Sequence, residues 1–152
     1  MRFSDIYNDR NAITEQLVIA LAQADVRAFA PAHWSIVKDL GAVGFRFALE
    51  HVTDLDMDFD SLVGAGVQYV KLDAPVFLDG LPAEGGAIVA ARDITRFLTD
   101  KQLGLIVGHI SSEAQLTRIA GCGVLYGQGE LFGGARPVRS QVFQARSAAW
   151  AA

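Results

Sequence analysis

Short apolar runs alternate along the chain with stretches in which apolar residues recur every three or four positions. Residues 17–21 (LVIAL) form the first such run, and 31–40 follow with Trp34, Ile36, Val37 and Leu40 on one helical face. The pattern then predicts a strand over 45–49 (FRFAL), a short helix over 59–63 and a strand over 67–72 (VQYVKL). A helix is expected over 87–101, where Ile88, Ala91, Ile94 and Leu98 keep helical spacing. A fourth strand is centred on 105–107 (LIV), a helix over 113–120 turns Leu116 and Ile119 inward, and 123–127 (GVLYG) closes as a fifth strand. Residues 81–86 (LPAEGG) read as a loop. Strand-to-strand spacings of roughly 20–35 residues are those of βα repeats on a parallel sheet. Strands buried on both faces read as unbroken apolar runs, as here. The rhythm fits an open doubly wound sheet and a closed barrel equally, although five strands do not close a barrel of eight.

The chain has 152 residues, 51% hydrophobic and 20% charged, which is the composition of one folded domain with a core of its own. A formal net charge of -4 leaves no basic footprint for nucleic acid. No apolar run approaches the roughly 20 residues that span a bilayer, and the opening MRFSDIYNDRN lacks the order of a signal peptide. The single cysteine, Cys122, excludes an intrachain disulfide and makes a reducing, cytoplasmic setting the expectation. Flanked by Gly121 and Gly123 with no basic neighbour, Cys122 is expected to be a small buried residue.

The alternating aspartates of TDLDMDFD (53–60) suggest a calcium loop, but Phe59 and Ala65 stand where such a loop needs glycine and glutamate. An aspartate capping the helix that begins at Phe59 is the better account. Lys71 and Asp73 lie at the end of a strand, where a lysine can meet a phosphate and where a strand-end ion pair is the simpler alternative. His33 falls on a helix, and His51 and His109 each follow a strand. A metal site shared by His51 and His109 lacks an obvious third ligand beyond Glu50, so hydrogen-bonded strand-end histidines are expected. The run YGQGELFGG (126–134) is glycine-rich without the lysine and serine or threonine of a phosphate loop.

Four segments, in order, carry a resemblance to a known family. LGAVGFRFALEHVTD resembles a strand that ends in paired aspartates. VQYVKLDAPVF is similar to DYLKID..F, LGLIVGHISSEAQL to VIAEGVETEEQL, and GCGVLYGQGELFGGARPV to GCDYVQGYLFSRPLP. These are motifs of the EAL family, bacterial (β/α)8-barrel phosphodiesterases that hydrolyse cyclic di-GMP, together with their inactive relatives. The resemblance covers about residues 15–140. It implies an α/β fold of parallel (β/α) repeats, a partial or incomplete TIM-type barrel. Residues 1–152 would be a single EAL-like domain corresponding to the C-terminal portion, since a whole barrel takes about 250 residues and the glutamate-alanine-leucine signature has no counterpart here.

Active members hold two divalent cations on strand-end carboxylates and an asparagine and so activate a water. By the resemblance, the ligand positions fall on Ala20, on Glu50 and His51, on Gly108 and on Ser111. Only Lys71, Asp73 and Gln128 match groups lining the family's pocket, with Glu50 a carboxylate one methylene too long. The expectation is a degenerate domain with no catalytic residues, no metal and no cofactor, a regulatory or scaffolding module. Its partners would be a protein or a second copy, through apolar strand edges. The alternative is a metal-independent cyclic di-GMP receptor using Lys71, Asp73, Gln128 and Glu50, with residues 130–137 as a guanine-side lid. A residual metallo-enzyme built on His51, His109 and Glu50 is the third reading.

Overall fold

Apolar side chains crowd the strand segments of this sequence, and in the computed structural model, which describes residues 17–133, those segments assemble side by side. β1 (Val18–Ala22) is followed by α1 (Gln23–Arg27) and α2 (Pro31–Ala42), β2 (Arg46–Glu50), α3 (Phe59–Gly64) and β3 (Val67–Asp73). Then come α4 (Ala74–Asp79), a small hairpin of β4 (Leu81–Pro82) and β5 (Ile88–Val89), α5 (Ala91–Asp100), β6 (Gly104–Gly108), α6 (Glu113–Gly121) and β7 (Tyr126–Gly127). The main sheet has the order β1-β2-β3-β6-β7, and every neighbouring pair is parallel.

That order advances in one direction without reversal. Parallel crossovers are right-handed, so a one-way order puts every crossover helix on the same side of the sheet. This is the winding of a barrel wall, and it excludes the doubly wound alternative. Strand alternation then sorts the residues into two faces. The outer face carries Phe47, Leu49, Val70, Leu72, Leu105 and Val107, all between 0% and 6% exposed. They pack with Phe77 of α4, Ile94 and Leu98 of α5, and Ile119 of α6 into one cluster. The inner face carries Arg46, Glu50, Tyr69, Lys71, Asp73 and Ile106, all half-buried, with Val18 and Tyr126 at 45% and 53% exposure on the outer strands.

Several boundaries differ from the sequence pattern. The helix expected from residue 87 starts at Ala91, because Ile88 and Val89 pair antiparallel with Pro82 and Leu81. Glycine makes that hairpin possible: Gly80, Gly85 and Gly86 all have positive φ, and a Cβ on Gly80 would sit 2.6 Å from the Val89 carbonyl oxygen. Ile88, assigned by its spacing to a buried helical face, is 62% exposed. Only Tyr126 and Gly127 of the last strand pair with β6, since Gly123, at φ 83°, is still turning the chain out of α6. Cys122 is half-buried at the end of α6 and is not a core residue. The short helices α1 and α4 have too few residues to show a period and were not expected.

The loop leaving β2 is fastened by one buried polar side chain. Gln23, 1% exposed at the start of α1, accepts hydrogen bonds from the Thr53 amide (2.8 Å) and the Thr53 hydroxyl (3.1 Å). Its Nε2 donates to the Asp54 carbonyl at 2.9 Å and contacts the Met57 sulfur at 3.1 Å. A Gln23→Leu substitution keeps the volume but leaves those groups without their partner. It is expected to lower unfolding free energy by about 2–3 kcal/mol, measured by urea denaturation.

Candidate functional site

In a barrel wall the loops at the carboxyl ends of the strands carry the chemistry, and here those ends are Ala22, Glu50, Asp73, Gly108 and Gly127. At its two ends β6 offers the inner face only glycine, and β3 fills the space there. The Tyr69 ring lies over Gly104, where an added Cβ would come within 2.7 Å of it. The Lys71 stem lies over Gly108, 3.1 Å from the corresponding Cβ position, with an Asp73 carboxylate oxygen 3.8 Å from the same point. Lys71 and Asp73 therefore share the patch above Gly108.

Two histidines follow the strand ends in left-handed backbone, His51 at φ 52° and His109 at φ 56°. This conformation costs a non-glycine residue about 1–2 kcal/mol and turns both imidazoles outward, to 73% and 74% side-chain exposure. His51 Nε2 lies 3.6 Å from Glu50, and His109 Nδ1 lies 3.6 Å from Asp73. These are two separate carboxylate–imidazole pairs, and among the described residues no three His, Cys, Asp or Glu side chains converge on one point. Asp73 thus pairs with His109, where a strand-end pair with Lys71 had been the simpler expectation. His33 closes the start of α2, its Nδ1 accepting from the Ala30 amide at 2.9 Å.

Beside this patch lies an open cavity of about 720 Å³, lined by Lys71, His109, Ser111, Gln128 and Glu130. Of the four residues singled out from the sequence, the cavity gathers Lys71 and Gln128. Asp73 borders it through the Gly108 patch, and Glu50 stands off toward β1 with His51. Residues 134–137 of the expected lid lie outside the described residues. The cavity wall is held by backbone bonds: Gln128 donates to the Val107 carbonyl at 2.9 Å, and Ile110 donates to the Gln128 carbonyl at 3.1 Å. Gly129 lets the two segments touch, since a Cβ there would sit 2.2 Å from the Ile110 carbonyl oxygen. The glycine-rich run was legible in the sequence; that close approach was not. Ser112 caps α6 by accepting from the Gln115 amide at 3.2 Å.

The acidic stretch is spent on local structure. Asp58 caps α3, accepting from the Ser61 amide at 3.0 Å and the Ser61 hydroxyl at 2.6 Å, and these bonds hold its carboxyl below the ordinary range. Asp54 accepts from the Arg27 guanidinium, whose second contact is the Asp56 carbonyl at 3.1 Å. The bond from Arg27 is the chief reason that Asp54 titrates low, aided by the Asp56 amide and the Thr53 hydroxyl.

The sequence profile of the EAL domain matches residues 1–137. Among solved structures, PaMucR phosphodiesterase in complex with c-di-GMP superposes with a TM-score of 0.64 at 18% identity, covering 86% of this chain and 51% of that one. The FimX EAL domain from Pseudomonas aeruginosa bound to c-di-GMP gives 0.60 at 18%, covering 86% and 56%. The Bacillus subtilis YkuI protein, with an EAL domain and in complex with substrate c-di-GMP and calcium, gives 0.58 at 13%, covering 95% and 36%. At these identities the likeness concerns the fold: a sector of a TIM-type barrel, with this chain spanning about half the length of the first of them. No curated protein matches the chain. Among the described residues no helix is long and apolar enough to cross a membrane.

The Arg27–Asp54 pair makes a pH-dependent contribution of definite sign. A carboxyl held low in the fold contributes stability that is complete above its unfolded pKa, near about 4, and that disappears as the pH falls through the lower folded value. Both partners are solvent-accessible, so the contribution is about 1 kcal/mol at most. Arg27→Met is therefore expected to destabilise at pH 7, with the difference from the parent chain shrinking toward about pH 3, read from urea midpoints across pH.

Proposed function

The chain belongs to the EAL-domain family, and from that premise we propose that it is a non-catalytic regulatory or scaffolding module of cyclic di-GMP-related signalling, acting through contacts with protein. The observation that carries this reading is the donor set at the strand ends. A two-metal hydrolase needs several oxygen ligands aimed at two points about 3.5–4 Å apart. Here the family's ligand positions hold Ala20, His51, Gly108 and Ser111. The carboxylates that remain, Glu50 and Asp73, sit apart, each beside an exposed imidazole. Magnesium prefers hard oxygen donors in near-octahedral array, and these residues do not fit such a centre. No hydrolytic step is supported by this arrangement.

A second reading, a metal-independent cyclic di-GMP receptor, is favoured by the cavity itself. Lys71 offers a cation suited to a phosphate, Ser111 and Gln128 offer hydrogen bonds, and Glu130 can accept from a base edge. Asp73 and Glu50 would border that ligand without lying on the cavity wall.

Turnover and binding separate the three possibilities. With Mg2+, Mn2+ or Zn2+ the chain is expected to produce no linear dinucleotide from cyclic di-GMP; product under any metal overturns both non-catalytic readings. Calorimetric titration is expected to show no binding tighter than about 10 μM, a threshold of roughly 7 kcal/mol. Tighter binding that does not need Mg2+ and is lost in Lys71→Ala establishes the receptor in place of the scaffold.

A further inference from the structure

We propose that a second copy of this chain packs against the inner face of the sheet, forming a two-fold symmetric dimer. The inference deepens the protein-contact reading, on which it rests for the kind of partner, by naming that partner and the surface it covers. Parallel sheets are stable with both faces covered, and among the described residues helices cover only the outer one. The inner face presents Tyr69, Ile106 and Tyr126 as its apolar part, the two tyrosine rings meeting edge to face with centroids 6.4 Å apart.

Charge identifies the occupant. β2 and β3 place two cations, Arg46 and Lys71, and two carboxylates, Glu50 and Asp73, on this face. Its formal charge is zero while the chain as a whole carries -4. The two cations are half-buried, and their side chains have no hydrogen-bond or ion-pair partner among the described residues. The two carboxylates have only exposed imidazoles at 3.6 Å. A strongly acidic or basic partner would be matched by a face of one sign. A balanced face with unsatisfied charges of both signs matches itself, because a two-fold axis brings each residue i of one copy to j of the other and each j to i. In the proposed dimer Arg46 and Lys71 of one copy meet carboxylates of the other, the register that leaves no like charges opposed, in a layer closed by the tyrosines and Ile106.

Sedimentation velocity of the full 152-residue chain, without nucleotide and over about 1–100 μM, is expected to show a reversible dimer. Hydroxyl-radical footprinting over the same range is expected to show Tyr69, Ile106 and Tyr126 becoming protected as the dimer forms, and needs no substitution. Arg46→Glu, outside the cavity, should weaken the dimer at least about tenfold by setting like charges together, and Arg46→Glu with Glu50→Arg should recover most of the loss by exchanging the two signs within one face. A monomer at 100 μM overturns the proposal, even one whose inner-face residues are already protected, since its own chain then covers them. So does a dimer that leaves those residues reactive, because it is joined at a strand edge or a helix. None of these outcomes depends on catalysis or on cyclic di-GMP, so the dimer and the functional reading stand or fall separately.

Discussion

A parallel sheet must bury both of its faces, and in this fold the order of the strands decides which face the crossover helices cover. Because β1, β2, β3, β6 and β7 follow one another in a single direction, right-handed crossovers put every helix on one side. The hydrophobic core is accordingly one layer, between helices and the outer sheet face, where Leu49, Val70, Val107, Ile94 and Leu98 are fully buried. The inner face has no such layer among the described residues, and the features of possible function all lie on it or at its rim. Lys71, Asp73 and Glu50 project there by strand alternation, and the cavity with Gln128 opens at its carboxyl end.

The same division explains how much could be read from the sequence. Phe47, Leu49, Val70, Leu72, Leu105 and Val107 face the helices, so every second residue of these strands is apolar whatever lies on the inner face. β2, β3 and β6 were legible for that reason, as was the helix signal of Ile94 and Leu98. Periodicity failed where backbone geometry overrode it. Ile88 has helical spacing with Ala91 but belongs to a hairpin that positive-φ glycines permit. Periodicity alone did not give the winding, since an open doubly wound sheet has the same rhythm; the family resemblance did, by implying a partial barrel.

Of the candidate cavity, two lining residues were named from the sequence and their arrangement was not. Family motifs led to Lys71 and Gln128, which do share a cavity. They could not reveal that Glu50 and Asp73 are each drawn to a histidine, because that depends on left-handed backbone at His51 and His109. The anchoring of the loop after β2 by Gln23 was likewise invisible. A glutamine next to an apolar run looks like a strand end, and only burial shows that four groups of a distant loop depend on it.

On the proposed non-catalytic reading, the fold can stand without metal ligands at these positions for a simple physical reason. Ala20, His51, Gly108 and Ser111 contribute no side chain to the core layer, so exchanging carboxylates for them leaves the packing of sheet on helix intact. Mutual repulsion among clustered carboxylates would also be relieved. The space above Gly108 is occupied, however. The Lys71 stem rests on Gly108, and any side chain at that position must displace it by a few tenths of an ångström. An acid placed at Gly108 would therefore disturb the cation next to it. The four positions are spread over separate strands and loops, and they are useful to a metal only together. A single substitution at any one of them therefore supplies no metal centre by itself.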